Sequence, residues 1–151
     1  MRIRADEHVS PEIVEAVSRI CLSDNWRFDH VYDSGDKGKS DEHWITSFAN
    51  SGGHAIITAD ADFTRKPPQV VAVFKTGVKV LHLPSKWGAA PGHLQTAHIL
   101  CWWPRIETQL TNMKQRECFQ PEWNISGVAG SFKKVDIDFA KAHQKLRKSA
   151  A

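Results

Sequence analysis

No apolar run in this chain of 151 residues approaches the length needed to cross a bilayer, which is roughly 18 residues. A membrane-spanning helix is therefore not expected. The opening Met1-Arg2-Ile3-Arg4-Ala5-Asp6-Glu7 lacks the apolar core of a secretory leader and reads as the first strand of a domain. Cysteine is scarce. Cys21, Cys101 and Cys118 make no C-x-x-C pair, no even framework and no Cys–His spacing suited to zinc. Reduced thiols and a cytoplasmic setting are the expectation. The chain has no G-x-G-x-x-G and no G-x-x-x-x-G-K-[ST], so dinucleotide and P-loop readings lack support. His93 and His98 are spaced i, i+5, not as the i, i+4 pair of a helical zinc site. No internal repeat is present.

What is there suits one α/β domain. A hydrophobic content of 41% with 25% charged residues fits an ordinary globular core. The pattern predicts strands at 2–5, 26–31, 54–58 and 79–83. Helices are predicted from Ser10-Pro11 to Cys21, from Ser40 to Ser51, and from Pro67-Pro68 to about Lys75. Such alternation argues for a mainly parallel sheet flanked by helices. Residues 91–118 read as helix, broken or kinked at Pro104, with an edge strand at 122–127. Two units are expected: the domain over 1–128 and a basic C-terminal tail over 129–151. Net charge is only +3, but Lys133, Lys134, Lys141, Lys145, Arg147 and Lys148 crowd that tail.

The acids are the informative feature. The run Ala55-Ile56-Ile57-Thr58 ends in Asp60-Ala61-Asp62. In extended chain, residues two apart share a side, so Asp60 and Asp62 are expected to be delivered together; an Asx-turn at Asp60-Ala61-Asp62 is the other reading of the same residues. Two carboxylates on one side repel unless a cation neutralises them, and a hard divalent ion is the usual remedy. Asp6 stands at the expected end of the first strand. On the helix from Ser40, Asp41 shares the side of Trp44, Ile45 and Phe48. A carboxylate there needs a partner. Functional groups in parallel α/β sheets gather at the carboxyl ends of strands, so Asp6, Asp60 and Asp62 are expected to meet.

Three blocks now carry a resemblance. Asp6-Glu7-His8-Val9, Ser40-Asp41-Glu42-His43-Trp44 and Ile57-Thr58-Ala59-Asp60-Ala61-Asp62-Phe63 are similar to the acidic blocks of PIN-like domains, and most to those of VapC-type toxins. The stretch from Gln95 to Ile106 resembles that group's later helix. The resemblance implies a three-layer α/β fold and a metal-dependent ribonuclease. It implies Asp6, Asp41, Asp60 and Asp62 as the acidic quartet and Thr58 as the supporting hydroxyl. Asp41 and Glu42 both remain open as the second-block acid. His8 stands where relatives often carry Asn.

Hydrolysis of a phosphodiester needs an activated water and relief of charge at phosphorus, which one or two Mg²⁺ or Mn²⁺ ions supply through carboxylate ligands. Asp6, Asp60 and Asp62 are expected to hold the principal ion, Asp41 to complete it or hold a second ion, and Thr58 to position a water. Arg65, Lys66 and His8 are candidates to contact the RNA phosphate, with solvent-exposed charge the other reading of Arg65 and Lys66. The expected function is RNA cleavage, as the toxin of a toxin–antitoxin pair held inactive by a cognate antitoxin protein. A homodimer is the assembly common in the group it resembles. The alternative is a catalytically inactive PIN-like module binding protein or RNA. A phosphoacceptor receiver domain is disfavoured, because the paired acids follow the third strand rather than the first.

Overall fold

A computed structural model describes residues 1–150. The elements in chain order are β1 (Arg2–Ala5), α1 (Pro11–Ile20), β2 (Arg27–His30), α2 (Asp41–Asn50), β3 (Ala55–Thr58), α3 (Pro67–Thr76), β4 (Lys79–His82), α4 (Ser85–Ala89), α5 (Gly92–Asn112), β5 (Cys118–Pro121), β6 (Phe132–Val135) and α6 (Phe139–Ala150). One sheet holds all the strands in the order β2-β1-β3-β4-β5-β6. The first five run parallel and β6 returns antiparallel to β5. The mainly parallel α/β architecture expected from the alternation is the one the chain adopts. No described helix is long and apolar enough to cross a membrane.

Burial on both faces explains why β3 reads as an unbroken apolar run. Successive side chains point to opposite faces. Ala55 and Ile57 join Leu81 under α1 and α5, against Val17, Trp102, Trp103 and Ile106. Ile56 joins Val80 under α2 and α3, against Trp44, Ile45, Phe48 and Val73. Ends are set locally. The Ser40 hydroxyl accepts the His43 N–H at 3.3 Å and caps α2. Pro68-Gln69 follow a proline start to α3, and Gly77 closes it at φ 77°. The α2–β3 link passes the Phe48 ring so closely that a Cβ on Gly53 would lie 2.4 Å from it.

Arg4 ties the second edge of the sheet to the loop before α2. It is buried on β1, with Nε 2.8 Å from Asp29 Oδ1 and Nη2 3.1 Å from Asp29 Oδ2. Its guanidinium lies 4.6 Å above the Phe48 ring and 3.9 Å from Asp36. A buried cation is tolerable only when paired in this way. The pairing fixes the loop that delivers Asp41.

Three expectations in the second half differ. The helix expected to reach residue 118 ends at Asn112, and it runs through Pro104 rather than breaking there. Burial of Trp102, Trp103, Ile106 and Leu110 on the sheet outweighs the one backbone bond the proline removes. The next strand lies at Cys118–Pro121, not 122–127, because Cys118 and Phe119 pair with Val80 and Leu81. The basic segment past Gly130 is built into the fold. β6 carries Lys133 and Lys134 outward on the sheet edge, where lysine discourages further pairing, and α6 packs on α3.

His98 is fully buried on α5, with its ring 5.7 Å from Trp102 and 5.1 Å from Trp123. Nε2 donates to the Glu122 carbonyl at 2.8 Å, and Nδ1 has no partner among the described residues. Burial lowers its pKa, the Glu122 carbonyl opposes that shift, and the Arg105 charge adds to it. A His whose folded pKa is depressed stabilises above its unfolded pKa and loses that stability as pH falls towards the folded value. Thermal stability should therefore fall as pH drops below about 6.5. His98→Gln should flatten that decline, even if its midpoint at neutral pH is lower. Melting curves of both proteins from about pH 7.5 to about pH 5.5 check this. Equal slopes would show that His98 does not drive the acid limb.

Candidate active site

Asp6 directly follows β1, and its N–H still bonds the Ile57 carbonyl at 3.2 Å. Its side chain is buried. Oδ2 accepts the Thr58 hydroxyl and Oδ1 accepts the His8 N–H at 3.0 Å. The Thr58 oxygen in turn accepts the Asp60 N–H at 3.0 Å. One hydroxyl thus bridges the ends of β1 and β3. In the order 2-1-3-4-5, connections leave β1 and β3 in opposite directions, and the crevice at their carboxyl ends is where such sheets bind ligands. The Asp6–Thr58–Asp60 chain lies at that switch point.

Asp60 is held from two sides. Its Oδ1 accepts the Asp62 N–H at 2.9 Å, and its carbonyl accepts His82 Nε2 at 2.9 Å from the end of β4. Asp60 Oδ2 has no hydrogen-bond or ion-pair partner among the described residues. The same-side delivery expected for Asp60 and Asp62 rests on extended chain, which this segment does not keep. β3 ends at Thr58, and Asp60 opens an Asx-turn. That turn carries Asp62 outward, where Arg65 and Lys66 lie 3.2 and 3.5 Å from its oxygens. Arg65 and Lys66 are themselves exposed.

Asp41 has the partners its inward phase demands. Trp44 Nε1 donates to Oδ1 at 2.8 Å and Gln69 Nε2 donates to Oδ2 at 2.7 Å. Glu42 is exposed. Gln69, buried near the start of α3, is a partner of Asp41 that the sequence does not signal. Nothing in the pattern of α3 marks it apart from a polar side chain beside Val70 and Val71. A small cavity of about 200 Å³ opens beside Asp41, lined also by Glu7, Tyr32, Lys37 and Lys39.

His8 responds to this field. Its Nδ1 lies 3.7 Å from Asp6 Oδ2. That contact is the largest cause raising its pKa to about 9. Burial opposes the shift, and the charges of Asp6, Asp60 and Glu7 add to it. The imidazole is a cation at neutral pH, half-exposed beside Asp6. Among the described residues no three His, Cys, Asp or Glu side chains are grouped to hold a metal ion. The donors are of the kind a hard divalent ion takes: the Thr58 hydroxyl links Asp6 to Asp60, and Asp60 Oδ2 has no partner among the described residues.

Fold and site define an α/β domain with carboxylates at a strand-order switch. The chain belongs to the PIN-like domain family: the model of the PIN like domain matches residues 1–85, more than half its length. No curated protein and no solved structure matches it. Asp6, Asp41, Glu42, Asp60 and Asp62 lie within the matched part, whereas α5, β5, β6 and α6 lie beyond it. The family points to a nuclease-type module.

Proposed function

We propose that this chain is a Mg²⁺- or Mn²⁺-dependent ribonuclease. The observation that carries the reading is the Asp6–Thr58–Asp60 chain at the carboxyl ends of β1 and β3. Asp6 is the fixed ligand, because two donors hold its carboxylate and the sheet holds its backbone. Asp60 offers its free Oδ2. Asp41 and Asp62 complete the set once Gln69 and Trp44, or Arg65 and Lys66, release them. Thr58 orients both strand ends, and His8, half-exposed beside Asp6, is placed to meet the phosphate. Arg65 and Lys66, once off Asp62, are free to meet RNA. When bound, the ion lowers the pKa of water and stabilises the attacking and leaving oxygens. The likeness of the three blocks to VapC-type toxins supports a toxin role, with a cognate antitoxin protein covering the crevice.

A second reading, a PIN-like binding module without catalysis, is favoured by one observation. Asp41 and Asp62 both spend their oxygens on protein partners. Incubation of the pure chain with end-labelled single-stranded RNA separates the two. The ribonuclease reading expects Mn²⁺-dependent fragments that EDTA suppresses. Intact RNA in Mn²⁺, or equal cutting in EDTA, contradicts it.

A further inference from the structure

The cations of the C-terminal segment do not trail from the fold. α6 lays Phe139 5.3 Å and His143 5.0 Å from Phe74 of α3, ring to ring. Ala142 and Leu146 pack with Val70 and Val71. This apolar face fixes the helix rotation. Lys141, Lys145 and Lys148, spaced i, i+4, i+7, then form one exposed stripe. None of the three makes an ion pair among the described residues.

Lys141 and Lys145 line a cleft of about 260 Å³ whose other wall is Thr64 and Arg65. Asp136 and Asp138 lie in the same cleft, and Asp138 Oδ1 accepts the Lys141 N–H at 2.9 Å. Arg65 is the link to the acids, since its guanidinium is 3.2 Å from Asp62 Oδ1. Arg65 thus stands between Asp62 and the cleft that α6 walls. A helix rises about 6 Å between residues four apart, so the two lysines present charges in step along an extended strand.

We infer that α6 is a phosphate-binding rail for single-stranded RNA, with Lys141 and Lys145 gripping the backbone beyond the cleavage site. It deepens the ribonuclease reading by assigning a substrate-holding surface outside the matched family region. Lys141, Lys145 and Arg65 outnumber the Asp136 and Asp138 carboxylates in the cleft, and neither lysine is held in an ion pair among the described residues. Arg65 hands the strand from Asp62 to α6.

The test measures binding apart from cutting. Fluorescence anisotropy of a labelled single-stranded RNA in EDTA, across a salt series, compares wild type with Lys141→Gln/Lys145→Gln. A charge-matched control, Arg27→Gln/Lys114→Gln, removes exposed cations from β2 and from the turn after α5. The α6 variant should bind about tenfold more weakly at moderate salt, and its log–log salt slope should be shallower by about 1.4, the value for two phosphates on a single strand. The control should match wild type. Unchanged affinity and slope in the α6 variant, an equal loss in the control, or no RNA binding by wild type would each overturn the rail. Binding that depends on the lysines without any cutting in Mn²⁺ would keep the rail and sink the nuclease. Cutting with an unchanged KM in the α6 variant would do the reverse.

Discussion

Asp6→Asn should lower Mn²⁺-dependent RNA cleavage by at least about a hundredfold, because a metal's stabilisation of the transition state is worth several kcal/mol and each tenfold in rate is about 1.4 kcal/mol. The substitution is nearly isosteric, and an amide still has an oxygen for the His8 N–H. What it removes is the one buried carboxylate at the switch point. The Thr58 hydroxyl loses its anionic acceptor, and a buried hydroxyl left unpaired costs about 1–3 kcal/mol. Some loss of stability is therefore expected alongside the loss of rate. Single-turnover cleavage at a temperature where both proteins are folded by circular dichroism separates the two effects. Asp60→Asn should follow with a similar loss, because it supplies the free oxygen. Full activity in either variant would remove it from the machinery.

The largest effect on folding belongs to Trp103. Its side chain is fully buried on α5, stacked 5.2 Å from Phe28 of β2. Its Nε1 donates to Glu107 Oε2 at 2.7 Å, and Glu107 also accepts the Ser23 N–H at 3.0 Å. One residue thus fastens α5 to the sheet and to the turn after α1. Trp103→Ala should cost about 3–5 kcal/mol through lost burial and the cavity left behind. At about 2–4 °C per kcal/mol for a chain of this size, the melting midpoint should fall by on the order of 10 °C. Val128→Ala, at a side chain 93% exposed, should leave the midpoint within error. Equal midpoints for the Trp103 variant and wild type would mean that α5 is not held as described.

The first half of the chain was the legible half. Proline starts, serine caps and apolar runs bounded by glycine marked α1 to β4 to within a residue or two, because each of those signals acts locally. The neighbourhood of β1 and β3 was legible too, through the rule that sites form at carboxyl ends of parallel strands. Past β4 the local signals fade. α5 runs through Pro104 on tertiary burial alone. β6 is half lysine because an edge strand needs little apolar surface. The partners of Asp41 divided in the same way. Trp44 is three residues along the same helix and could be read, whereas Gln69 comes from α3 and could not. The turn at Asp60 shows the limit of periodicity: the i, i+2 rule holds only while the chain stays extended, and β3 stops at Thr58.

Calorimetric titration of Mn²⁺ into the purified chain asks for the ion without asking for a substrate. The wild type should show a saturable site that Asp6→Asn abolishes and Asp60→Asn weakens, while Asp24→Asn, an exposed carboxylate between α1 and β2, leaves it intact. Identical isotherms for the wild type and Asp6→Asn would mean that Asp6 holds no ion and that the proposed metal site is wrong.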